Sequence, residues 1–213
     1  MMATELSVYP AADALAAVVL AHGAGAGQSS PFMRNAARGF ASRGVTAATF
    51  DFPYMRARKR LPDSAPVLET AWREAIAEAR AAFGNLPLFI GGKSMGGRIA
   101  SQVAASGDSG TIAGLIFFGY PLHPPGRPLQ RRDAHLPAIP QPMLFVQGSR
   151  DAFGTTEEIR ELLPRLPRAV IHEVVGGDHS LTVRRPSGGM SPAVVFEQLL
   201  DACVAWISSV CRG

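Results

Sequence analysis

A chain of 213 residues with 47% hydrophobic content is long enough to bury a core of its own, and that balance excludes a largely disordered polymer. Its 21 basic and 17 acidic side chains leave a formal charge of +4, without the aromatic interleaving or motif that would direct such charge to nucleic acid. The two cysteines, Cys203 and Cys211, are too few for a disulfide framework, and with the five histidines they lack the spacing of a metal site. We therefore expect free thiols, no metal and no nucleic-acid partner.

In chain order, the amino-terminal run M-M-A-T-E-L-S has no basic region leading into an apolar stretch, so no secretory leader is read there. The longest apolar run, Ala14 to Ala21, falls well short of the roughly 18 residues of a membrane span. These two readings predict a cytoplasmic protein that makes no membrane contact. Strands are predicted at Ala17–Leu20, Val45–Phe50, Leu86–Gly91, Ile112–Phe118, Met143–Gln147 and Ala169–Val175. Several are apolar on consecutive residues, as strands covered on both faces are.

Helical patterns fall between them, at about Pro31–Ser42, Met95–Ala105 and Thr155–Leu163. Trp72, Ile76, Ala79 and Phe83 share one helical face, as do Val195, Leu199, Ala202, Trp206 and Val210. Ser191 is placed to cap that last helix, with Pro192 in its first turn. The alternation predicts one α/β domain over residues 1–213, with a mostly parallel sheet of about six or seven strands flanked by helices and no large cap domain. Two stretches stand outside the pattern. Arg56–Arg60 reads as a solvated basic loop that could attract an anionic substrate. The Pro-rich Tyr120–Pro142 reads as a long connection over the sheet edge that could shape a site mouth.

The strongest local signal is Gly92-Lys93-Ser94-Met95-Gly96, a G-x-S-x-G placed after an apolar strand and before a helical pattern. That is the setting of a nucleophile elbow. The chain must turn from strand to helix within a few residues, so side chains at 92 and 96 would meet neighbouring backbone. The helix beginning at Met95 would aim its amides at the reacting centre. A phosphate-binding loop is the rival reading of G-G-K-S, but its first glycine would fall on Pro87.

A serine needs a base. His179, in Gly176-Gly177-Asp178-His179-Ser180, follows the last strand and completes the order nucleophile, acid, histidine. His172 lies inside a strand and is read as packing or surface. Asp151, after the strand Met143–Gln147, is the acid that orients the base; Asp178 is read as a turn residue and Asp51 as a weaker rival. The turn His22-Gly23-Ala24-Gly25-Ala26-Gly27 can aim amides inward for an oxyanion. Ala24 is paired with Met95 for that task, with Gly25 as the alternative to Ala24, and the His22 ring is read as holding the turn. The even spacing of Gly23, Gly25 and Gly27 does not match a dinucleotide fingerprint, so no cofactor is expected.

Taken together, H-G-A-G-A-G, P-F-M at Pro31–Met33, D-F-P-Y-M at Asp51–Met55, G-G-K-S-M-G-G-R, G-S-R-D-x-F-G and G-G-D-H-S resemble a small branch of the α/β-hydrolase superfamily. Its members are predicted hydrolases similar to dienelactone hydrolases. The resemblance implies an α/β-hydrolase core without a large cap, the Ser94, Asp151 and His179 triad, and an oxyanion hole near Ala24 and Met95. Dienelactone hydrolases proper carry a cysteine nucleophile where this chain has Ser94, so their substrate is not implied. The expected activity is hydrolysis of a small ester or thioester through an acyl-serine, with a small-molecule acyl substrate as the only expected partner. The alternatives are a catalytically silent binding or scaffold protein on the same fold, and an acyltransferase or peptidase using the same triad.

Overall fold

The computed structural model describes residues 4–183 and 191–213; the first three residues of the stretch read for a leader lie outside them. Seven strands form one sheet: β1 (Ser7–Tyr9), β2 (Ala16–Ala21), β3 (Val45–Phe50), β4 (Leu88–Lys93), β5 (Gly114–Phe118), β6 (Met143–Gly148) and β7 (Ala169–Val174). Their order is β1-β3-β2-β4-β5-β6-β7. β1 runs antiparallel to β3, and every other pair is parallel. This is the mostly parallel sheet that the alternating pattern predicted, with an edge strand too short and too exposed to announce itself in sequence.

The period-two alternation of β2 divides the core in two. Ala17, Val19 and Ala21 face one layer, and Ala16, Val18 and Leu20 the other. Helices α3 (Ala65–Phe83) and α4 (Met95–Ala105) cover the first face through Leu68, Trp72, Ile76, Ile99 and Val103. Helices α1 (Pro31–Ala41) and α6 (Pro192–Arg212) cover the second through Met33, Phe40, Leu199, Cys203 and Ile207. Because both faces are roofed, β2 through β6 are buried along nearly their whole length, which is why they read as continuous apolar runs.

Most boundaries fall within two residues of expectation, and the departures have local causes. β4 begins at Leu88, where the Pro87 carbonyl already serves the Ala17 amide, and runs on to Lys93. A one-turn helix, α2 (Pro53–Arg56), was not anticipated; Pro53 starts it and four residues carry no periodicity. The predicted Thr155–Leu163 helix is α5 (Thr156–Arg160), capped by a reciprocal Thr155–Glu158 box. Pro164 then supports only a short 3₁₀ turn, Leu163–Arg165. The Ser191 side chain accepts the Val194 amide, as predicted for the cap of α6.

No unbroken apolar run in the sequence reaches the length of a membrane span, because polar residues interrupt the longest apolar helix. α6 meets the length and composition of one, with mean hydropathy 1.5 over an 18-residue window. One stripe of it packs on the core. Leu199, Leu200, Cys203 and Ile207 are buried against the sheet, and Glu197 and Asp201 on its outer face each pair with Arg43 at 2.7 Å.

Candidate active site

All the chemistry-bearing turns lie at the carboxyl ends of the parallel strands, where the connections leave β2 and β4 in opposite directions along the sheet. Ligand sites in open α/β sheets form at such a point. Ser94 follows β4 with φ 49° and ψ −115°, a left-handed conformation that costs a non-glycine residue about 1–3 kcal/mol. Tight packing holds it there. A Cβ at Gly92 would lie 2.1 Å from the Ala21 carbonyl oxygen, and one at Gly96 2.3 Å from the same atom. The elbow can therefore press against β2 only with glycine at positions 92 and 96. The Trp72 indole donates to the Gly96 carbonyl at 3.1 Å, and the Ser94 amide to the Phe118 carbonyl at 3.0 Å.

His179 arrives from beyond β7. Its loop is closed by a bridge between Gly177 and Val183, and the Asp178 carboxylate accepts the amides of Ser180 at 2.8 Å and Thr182 at 3.1 Å. Asp178 is thus the turn residue it was read to be. The His179 Nε2 lies 2.8 Å from the Ser94 Oγ. Its Nδ1 lies 2.8 and 3.0 Å from the two oxygens of Asp151. The Asp151 carboxylate is fully buried, whereas His179 keeps 23% of its side chain exposed. A buried carboxylate is an acceptor only, so it fixes the Nδ1–H tautomer and leaves the Nε2 lone pair toward the serine hydroxyl.

Sequence reasoning missed three residues that shape this arrangement. The buried Gln147 amide donates to Asp151 at 2.9 Å and to the Gly154 carbonyl, and its oxygen accepts the Tyr120 amide at 2.8 Å. It therefore orients the Asp151 carboxylate. Its place as the penultimate residue of β6 gave no more signal than any strand polar residue. Phe153 stacks on the His179 ring with centroids 4.1 Å apart. Lys93 donates from Nζ to the carbonyl of His179 and to that of Phe118. Burial pulls its ammonium down to about 8, against the attraction of Asp151 and Asp178.

His22 has the structural part assigned to it. Its Nε2 accepts the Phe52 amide at 3.2 Å, so the ring proton sits on Nδ1 and goes to the Gly23 carbonyl at 2.9 Å. Burial disfavours its protonation, and Asp51 at 3.5 Å is no ion-pair partner for a nitrogen already accepting. Asp51 instead takes the Gln28 amide at 2.7 Å and lies outside the serine–histidine chain.

Ser94 and His179 open on a cavity of about 550 Å³, lined also by Gly23, Ala24, Phe32 and Met95. Among the described residues neither the Ala24 nor the Met95 amide has a protein acceptor, so both are available to a bound group. Pro121 and Arg132 bring the Tyr120–Pro142 connection to the same cavity, where it shapes the mouth. The basic run Arg56–Arg60 does not reach it. Arg56 borders a separate cleft of about 540 Å³ between α2 and the start of α3, and Lys59 faces Asp63 at 4.0 Å. Among the described residues no cluster of three potential metal ligands occurs.

A central, mostly parallel sheet with its chemistry at the carboxyl strand ends and a serine on a strained strand-to-helix turn defines the α/β-hydrolase class. The chain belongs to it: the family described as alpha/beta hydrolase domain matches residues 14–208. Solved structures agree at the level of fold. The chain is similar to a thermophilic esterase from Thermogutta terrifontis (TM-score 0.73, 19% identity, covering 97% of this chain and 89% of that one). It is also similar to a lid-less serine hydrolase from Xanthomonas campestris (0.71, 17%, 95% and 89%) and to a dienelactone hydrolase from Anabaena variabilis (0.69, 18%, 93% and 89%).

Proposed function

We propose that the protein is a serine hydrolase that cleaves an ester or thioester through an acyl-enzyme on Ser94. One observation carries this reading: an unbroken hydrogen-bonded chain from Ser94 through His179 to buried Asp151, opening on a cavity. His179 Nε2 takes the Ser94 proton as the oxygen attacks the substrate carbonyl carbon. The carbonyl oxygen gains negative charge, and the amides of Ala24 and Met95 receive it. The imidazolium, stabilised by Asp151, protonates the leaving alkoxide or thiolate as the bond to the acyl carbon breaks. Water then repeats the sequence, giving the carboxylic acid and free Ser94.

The test is covalent labelling with a fluorophosphonate. Wild type is expected to form one adduct at Ser94. Ser94→Ala is expected to form none and to lose about 10⁴-fold or more in kcat on short acyl esters. Equal labelling of both proteins would sink the reading. An inert but folded wild type would favour a binding or scaffold protein.

A further inference from the structure

The charge around the cavity is one-sided. Lys93, Arg98 and Arg132 all line it, and among the described residues no aspartate or glutamate does. Lys93 is committed to carbonyls behind the triad. The two guanidiniums are not committed to any anion. Arg98 stands on α4 one turn beyond Ser94, where the only hydrogen bond of its guanidinium among the described residues is from Nη1 to the Gln102 amide oxygen at 3.3 Å. Arg132 is pinned through its backbone: its amide donates to the Leu122 carbonyl at 2.9 Å, and its carbonyl accepts the Tyr120 hydroxyl at 2.8 Å. That fixes where the side chain leaves the chain.

The acids nearby are already taken. Glu69 faces Arg73 at 3.5 Å. Asp133 is held by Arg131 at 3.2 Å and Arg165 at 2.9 Å. Asp151 and Asp178 serve His179 and its loop. The residues outside the described ones, 1–3 and 184–190, contain no acid at all. Two like charges therefore share a partly buried wall; burial first, and then the proximity of Arg132, disfavour the charge on Arg98, and the opposing pull of Tyr120 and Glu69 does not offset them. A guanidinium pair in that setting is matched by an oxyanion, which it can bind through several charge-assisted hydrogen bonds.

We propose that the substrate is an ester or thioester carrying an additional carboxylate or phosphate, which Arg98 and Arg132 bind while Ser94 attacks the acyl carbon. This rests on the hydrolase reading above. It moves the recognition of anions from the Arg56–Arg60 run to the wall of the catalytic cavity.

The experiment compares esters matched in chain length. On the acyl side, 4-nitrophenyl hexanoate is set against the 4-nitrophenyl monoester of adipate. On the leaving-group side, 4-nitrophenyl hexanoate is set against the hexanoate ester of 5-hydroxy-2-nitrobenzoate. At low salt, kcat/KM for at least one charged ester is expected to exceed its neutral partner by tenfold or more, and the arm that shows it locates the anion. Raising salt should shrink that ratio. The Arg98→Gln/Arg132→Gln double variant should lower it at least tenfold, with folding checked by circular dichroism. If the double variant does not fold, the wild-type ratio and its salt dependence decide alone. Equal rates on charged and neutral esters, or a ratio unchanged in the folded double variant, overturn the substrate class but leave the hydrolase standing. No turnover of any ester, together with no phosphonate adduct on Ser94, overturns both.

Discussion

Lys93 occupies the variable position just before Ser94, and its place there carries a cost in stability. Its ammonium is mostly enclosed, held by the carbonyls of His179 and Phe118 and lying 5.8 Å above the Phe32 ring. It thereby ties the end of β4 to the loop that carries the histidine. Burial brings its titration from 10.5 down to about 8. A base whose folded pKa lies below its unfolded one resists protonation in the native state. It therefore destabilises the fold below pH 8, and that penalty fades as pH rises from about 8 toward 10.5. Lys93→Met removes the titration and keeps most of the apolar stem. Urea denaturation of both proteins should show the stability difference moving in favour of wild type between pH 7.5 and pH 10, by about 2–3 kcal/mol at most. Other titrating groups, such as Tyr120 and Cys203, are common to both proteins and cancel. A difference flat with pH would mean that the native ammonium is not desolvated.

At the scale of elements, the contact between α4 and β2 decides whether the elbow forms. Gly96 is an ordinary helical glycine with no left-handed backbone, yet an added Cβ would lie 2.3 Å from the Ala21 carbonyl oxygen and 2.7 Å from that of His22. Gly96→Ala must push α4 off the sheet, at about 3 kcal/mol or more. Gly107→Ala, where φ is 80° but nothing lies within 4 Å, should cost only about 1 kcal/mol. Thermal denaturation of the pair separates crowding from backbone conformation, and equal losses would show that the elbow tolerates a wider gap.

The same contact explains what the sequence could reveal. G-x-S-x-G is legible because sterics leave no other residue at its ends, and β2 to β6 are legible because they are roofed on both sides. Ser94, His179 and Asp151 could be placed because each follows a strand whose end was already visible. Gln147, Phe153, Arg98 and Arg132 could not. Their importance lies in what faces them across the sheet edge, and the pattern along the chain contains no record of that. β1 and α2, three and four residues long, are too short to repeat the period that would reveal them.

At the scale of the molecule, the two core layers differ in how firmly their roofs are fastened. α3 and α4 are locked around the elbow. α6 is held by one apolar stripe and by the Arg43 clamp to Glu197 and Asp201. Exposed ion pairs of that kind add only about 0–1 kcal/mol each, so the buried stripe carries the attachment. Its two cysteines report on it. Cys203 is wholly buried, and burial pushes its thiol up, away from the reactive thiolate; Cys211 is partly exposed. An aromatic disulfide reagent should therefore modify Cys211 promptly in native protein and Cys203 only as α6 lifts from the sheet, while both react at once in denaturant. Ile207→Ala, one turn further along the stripe, should weaken the packing by about 2–5 kcal/mol. If opening of α6 governs access, it should speed Cys203 modification by about thirtyfold or more and leave the Cys211 rate nearly unchanged. Matched rates for the two thiols in wild type, or a Cys203 rate indifferent to Ile207→Ala, would show that α6 does not depend on this stripe for its attachment.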